Sequence, residues 1–78
     1  MDILSITGDM PGGVVATVAH RGRVHQLGME LGRNPAGGWR ARRGDGAWGP
    51  RCHSATTAVL LEAGEALSEA SLAEPALS

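Results

Sequence analysis

Seventy-eight residues suffice for one domain with a modest core, and a 42% hydrophobic content without Phe or Tyr leaves Val, Leu, Ile, Met, Trp39 and Trp48 to supply its bulk. A single cysteine, Cys52, excludes an internal disulfide; no basic segment leads into a long apolar run, so neither a signal peptide nor a membrane span is expected, and the expected setting is cytoplasmic. The formal charge of −1 hides a segregation, because all seven arginines fall between Arg21 and Arg51, opposed there only by Glu30 and Asp45, while the flanks are acidic, which points to an anionic partner.

Ile3, Leu4, Ile6 and Thr7 make a short β-prone opening that stops at the turn formers Gly8-Asp9-Met10-Pro11-Gly12-Gly13, so an edge strand is expected. Val14 to His20 follows with β-branched enrichment, and Arg21-Gly22 separates it from a second arm running from Arg23 to about Leu31, the pattern of a tight hairpin. In that arm Val24 lies on one parity and Leu27, Met29 and Leu31 on the other; a β-bulge near His25-Gln26 is the expected reconciliation. After the turn cluster Asn34-Pro35-Ala36-Gly37-Gly38, the stretch Trp39-Arg40-Ala41-Arg42-Arg43 reads as a strand with Trp39 and Ala41 inward and Arg40 and Arg42 on the other face. Gly44-Asp45-Gly46 predicts a reversal and Ala47 to His53 a short return strand, placed at an edge by Pro50.

Ser54 is the expected N-cap of a helix over about 55–70. A stripe of Ala55, Val59, Leu60, Ala63, Ala66, Leu67 and Ala70 should pack on the sheet, with Glu62, Glu65 and Glu69 grouped beside it and Leu61 projecting away. Residues 71–78 read as a frayed tail. The expected class is α+β: a three- or four-stranded antiparallel meander over about 3–53 with one C-terminal helix packed on it, in a single domain spanning 1–78. A core made of small side chains gains from self-association, so a homo-oligomer is a further expectation.

Gly44-Asp45-Gly46-Ala47-Trp48-Gly49 has the G-x-G-x-x-G spacing, but an Arg-rich strand precedes it and Pro50 follows, whereas a phosphate loop needs a buried strand before and a helix after. It reads as a glycine-rich hairpin. His20, His25, Cys52 and His53 fall in none of the paired spacings of a zinc site, and Cys52 and His53 on a strand would point to opposite faces, so no metal, cofactor or catalytic set is assigned. Arg40, Arg42, Arg43 and Arg51 beside Trp39 and Trp48 are the most informative group: guanidinium forks hold phosphates or carboxylates, and indoles stack or fill pockets. Trp39 is assigned to the core. The Arg21-Gly22-Arg23 tip either extends this patch or discourages edge pairing. The expected partner-binding set is therefore Arg21, Arg23, Arg40, Arg42, Arg43, Trp48 and Arg51, and exposed Arg40 and Arg42 are expected to tolerate charge reversal with little loss of stability.

Arginine without lysine, together with abundant Ala and Gly, is the bias of a GC-rich bacterial genome or of its phages. In element order, and in the stretch Gly38-Trp39-Arg40-Ala41-Arg42-Arg43-Gly44-Asp45-Gly46, the chain resembles the sheet-plus-helix arm-binding domains of phage-type integrases over roughly Val14 to Ala70. That resemblance implies a sheet that enters DNA. The order of elements is also similar to small phage inhibitors of bacterial defence complexes, such as anti-CRISPR proteins, which implies a non-catalytic protein that blocks nucleoprotein machinery. Two functions follow as expectations: binding of nucleic acid or a nucleoprotein complex through the Arg/Trp-rich sheet, and, alternatively, an inhibitor or adaptor docking on an acidic protein surface. A metal-binding or enzymatic protein ranks third.

Overall fold

A computed structural model describes the backbone of residues 1–73 and the side chains of residues 1–68. Strands β1 (Asp2–Gly8), β2 (Gly12–His20), β3 (Arg23–Arg33) and β4 (Trp39–Arg42) precede one helix, α1 (Ala55–Ala73). The strands form a single antiparallel sheet in the order β1-β2-β3-β4, and the helix packs chiefly across β4 and the adjoining end of β3. This is the α+β meander with one helix that the sequence predicts. Part of the predicted tail, 71–73, continues the helix, and 74–78 lie outside the described residues. Among the described residues no helix is long and apolar enough to cross a membrane.

Local chemistry sets each turn. Between β2 and β3, His20 pairs with Arg23, so Arg21 and Gly22 alone make the connection, with φ of 52° and 75°. Two positive φ values are what a two-residue type I′ turn demands. Between β3 and β4 the Asn34 side chain accepts a hydrogen bond from the Ala36 N–H (2.9 Å) and its carbonyl accepts one from the Gly37 N–H (2.8 Å). Asn is favoured in turns for this reason. At the helix start, Ser54 Oγ accepts a hydrogen bond from the Thr57 N–H at 3.1 Å, satisfying one of the donors that a helix N-terminus leaves unpaired.

The register places one bulge, and not where the sequence suggests it. β2 and β3 pair without a slip from Gly12↔Leu31 to His20↔Arg23, so no bulge exists at His25-Gln26. Val24 simply faces outward, 64% exposed, while Met29 and Leu31 are buried and His25 and Leu27 half-buried on the opposite side. The irregularity lies in β1 between Ile3 and Ser5. Ile3 and Ile6 both pack on the core, yet residues three apart point to opposite faces of a regular strand; one extra residue, exposed Leu4, restores the phase.

The core occupies one side of the sheet: Val14, Ala16 and Val18 of β2, Met29 and Leu31 of β3 and Ala41 of β4, with Cys52 and the helix residues Ala58, Val59, Ala63 and Leu67. The inward helical face is rotated from the predicted stripe. Ala58 and Glu62 are buried where Leu60 and Ala66 are only half-buried, and Glu62 is therefore not part of an outer acidic group. The Glu69 and Ala70 side chains lie outside the described residues. The return strand predicted over 47–53 reduces to a single bridge, Trp39↔Cys52, plus a Gly49 N–H donated to the Ala41 carbonyl at 2.8 Å. Pro50 has no N–H to continue the ladder. This irregular segment nevertheless covers the outer edge of β4, leaving β1 as the open edge of the sheet.

Candidate functional site

Alternation along β4 sends Ala41 inward and puts Trp39 at the core margin, where the Arg33 guanidinium lies 4.9 Å from its ring centroid. Arg40 and Arg42 consequently emerge on the face that carries no helix. Gly32 is the β3 partner of Arg40, and Glu30 that of Arg42. The loop beyond β4 then brings Trp48 back onto this same face. Its six-membered ring lies over Gly32, so closely that a Cβ there would stand 3.0 Å from Cη2 and 3.2 Å from Cζ3. The guanidinium of Arg42 is 4.5 Å from the indole centroid and that of Arg40 5.4 Å, both within cation–π range. A glycine inside a strand often marks close approach of another group. Gly32 is that signal here, a glycine within the β3 run that marks where the ring lies.

The charges of this surface are partly committed. Arg42 meets Glu30 across the strands, with Nη2 and Nε 2.8 and 3.0 Å from Oε1. Arg43 Nε lies 2.8 Å from Oε1 of Glu62, a carboxylate only 6% exposed, and this pair ties the loop after β4 to the helix. The cleft between them, about 490 Å³, is walled by Arg43, Trp48, Glu62 and Glu65. Arg51 Nη1 donates to the Ala36 and Gly37 carbonyls at 3.3 and 3.5 Å. Arg40 stacks on Trp48 and has no carboxylate partner among the described residues. Arg40 and Arg42 are thus not equivalent, because a carboxylate in place of Arg42 would face Glu30.

Arg21 and Arg23 sit at the other end of the molecule. Arg40 pairs with Gly32, nine residues along β3 from Arg23, which at ~3.3 Å per residue is about 30 Å away. The expected partner-binding set therefore divides into Arg40, Arg42, Arg43, Trp48 and Arg51 around β4, and Arg21 with Arg23 at the hairpin tip. The histidines and cysteine divide likewise. His20 and His25 meet at the tip with ring centroids 6.4 Å apart, whereas Cys52, buried, and His53, exposed, lie beside β4. Among the described residues no three His, Cys, Asp or Glu side chains are placed to hold a metal ion.

Toward the hairpin tip the helix-free face carries no arginine of β3, because Arg23 shares the core-side parity of His25, Leu27 and Met29. That face is formed by Ser5, Thr7, Val15, Thr17, Ala19, Val24, Gln26 and Gly28, with Asp2 near the tip and Glu30 already paired. Compared with known proteins, the chain matches no family model, no curated protein and no solved structure.

Proposed function

We propose that this chain is a non-catalytic binding module of a bacterium or phage, docking the helix-free face of its sheet on nucleic acid or on a nucleoprotein complex, with Arg40, Arg42 and Trp48 as the leading contacts. The observation that carries this reading is Trp48, propped on Gly32 beside two guanidinium groups on the face opposite the helix. Indoles stack on bases of any sequence, and guanidinium forks bind phosphate oxygens. Glu30 and Trp48 hold Arg42 in place before any partner arrives, so less side-chain entropy is lost on binding.

A second reading is an inhibitor or adaptor that docks on a protein, in the manner of anti-CRISPR proteins. The observation favouring it is the pairing of Arg42 with Glu30 and of Arg43 with Glu62, which leaves a mixed-charge surface around an aromatic anchor, a composition common at protein interfaces. Titration with duplex DNA and with RNA at two salt concentrations separates the two. Nucleic-acid binding should weaken steeply with salt, losing about 0.9 from the log–log slope for each duplex phosphate contact removed. Absence of binding to both nucleic acids at low salt would exclude the first reading and leave the protein partner.

A further inference from the structure

We infer that the open edge of β1 is the contact between two copies of this chain, paired antiparallel about Ile6 so that their four-stranded sheets join into one with both helices on the same side; this goes beyond the reading above and does not depend on it. The two edges of the sheet differ. Along β4 the chain's own segment 49–52 returns, through the Gly49 N–H to the Ala41 carbonyl and the bridge of Trp39 with Cys52, so that edge is closed. β1 pairs with β2 on one side, and among the described residues no strand pairs with its other side. Edge strands of monomers are ordinarily blunted by lysine, proline, an inward charge or a bulge. From Ile3 to Gly8 the strand has no charge and no proline, and its one guard is the bulge at Leu4. Leu4 is 56% exposed there, and Ile3 and Ile6 are only half-buried.

The backbone fixes which groups that edge offers. The Asp9 N–H donates to the Gly13 carbonyl at 3.3 Å, and Thr7↔Val15 and Ser5↔Thr17 follow in the same register at two-residue steps. Antiparallel pairs alternate between those that exchange hydrogen bonds and those that do not, so Ile6, opposite Ala16, falls in the second kind and turns its N–H and C=O to the open side. A two-fold axis at Ile6 lets two copies exchange those groups. Residues directly opposite share a face, so the axis sets Ile6 against Ile6 on the helix side and Ser5 against Thr7 of the second copy on the other. Both matches agree with the faces already occupied, since Ile6 packs on the core while Ser5 and Thr7 are exposed. An axis at Ser5 would instead oppose Ile3 to Thr7, which lie on different faces. No charge falls within Leu4–Gly8, so none meets its own likeness across the axis. This self-matching selects a second copy over a foreign strand, and because the β4 edge is closed the pairing stops at two, as an isologous C2 contact does. A core of small side chains gains from the added cover over Ile6.

The test follows wild type, Leu4→Lys and Val24→Lys by sedimentation equilibrium and amide hydrogen exchange, from micromolar concentrations to about 1 mM, since a short ladder makes a weak dimer. The wild-type mass should rise from one copy to two and no further. The Ile6 amide should exchange freely in dilute protein and slow by about ten-fold or more as the dimer fills. Leu4→Lys changes an exposed site, so the dilute melting temperature should hold while association weakens by about ten-fold or more. Val24→Lys, on the helix-free face two strands away, should associate like the wild type. Loss of the dimer in Val24→Lys but not in Leu4→Lys would move the contact to the sheet face and overturn the edge pairing, as would an Ile6 amide indifferent to concentration. A chain that stays monomeric throughout would overturn it too, leaving the edge to a strand from another protein. Growth beyond two copies would overturn it as well, because the β4 edge would then be open.

Discussion

Gly32→Ala is the substitution that most cleanly separates the seating of Trp48 from the stability of the fold. The new methyl would lie 3.0, 3.2 and 3.6 Å from Cη2, Cζ3 and Cζ2 of the indole. Carbon–carbon contacts are optimal at about 3.5–4.0 Å, so the ring must lift by roughly 0.5 Å or more. Lifting weakens two stacked guanidinium contacts worth about 0.5–1 kcal/mol each at an exposed site. Alanine in place of glycine within a strand returns roughly 0.5–1 kcal/mol. The two nearly cancel, so the net change should stay within about 1 kcal/mol, or about 4–8 °C in Tm for a chain of this size. In fluorotryptophan-labelled protein the two tryptophans are read separately by fluorine NMR. The Trp48 resonance should move, the Trp39 resonance should stay, and duplex affinity should fall several-fold. A variant with both resonances in place and full affinity would refute the claim that Gly32 seats the ring.

Glu62→Ala should cost about 1–3 kcal/mol in urea unfolding, below the 3–5 typical of a fully buried pair because Arg43 is partly exposed and can rehydrate; a double-mutant cycle with Arg43→Gln should return a clear coupling energy. Gly38→Ala should lose about 2–4 kcal/mol, since φ there is +88° and the added Cβ would lie 2.5 Å from the Cys52 carbonyl oxygen; a melting temperature near wild type would contradict the close pairing of Trp39 with Cys52. Leu67→Ala should cost about 2–5 kcal/mol because the side chain is buried under the sheet, whereas exposed Leu61→Ala should stay within about 0.5 kcal/mol in the monomer. Equal losses at the two positions would mean that the inward face of the helix has been misassigned.

The strands and the helix were legible because punctuation and periodicity agree. Gly8 to Gly13, Arg21-Gly22 and Asn34 to Gly38 supply turn chemistry between β-branched runs, and Ser54 caps the helix where the period changes. What escaped was decided partly by local spacing and partly by contacts distant in sequence. Val24 mimicked a phase error in β3 only because a one-sided sheet tolerates an exposed valine, while the true bulge was encoded in the three-residue spacing of Ile3 and Ile6. Glu62 looked like one of a surface row of acids; it turns inward because Arg43, nineteen residues earlier, meets it at the helix face. Pro50 suggested only that a strand over 47–53 would lie at an edge; the strand is reduced to the Trp39↔Cys52 bridge, and the return of Trp48 over Gly32 depends on the register of β3 with β4. Arg40 and Arg42 were correctly placed on one face by parity. Parity alone could not distinguish Arg42, held by Glu30, from Arg40, which has no carboxylate partner among the described residues.

The central claim, that nucleic acid docks on the helix-free face around Trp48 and Arg40, is tested most directly by following the backbone amide and indole N–H resonances of the labelled protein as duplex DNA is added at low salt. The account predicts shifts at Gly32, Arg40, Arg42 and the Trp48 indole N–H, with Leu61, exposed on the helix, unmoved. Shifts confined to the helix, with Trp48 and Arg40 unchanged, would contradict it.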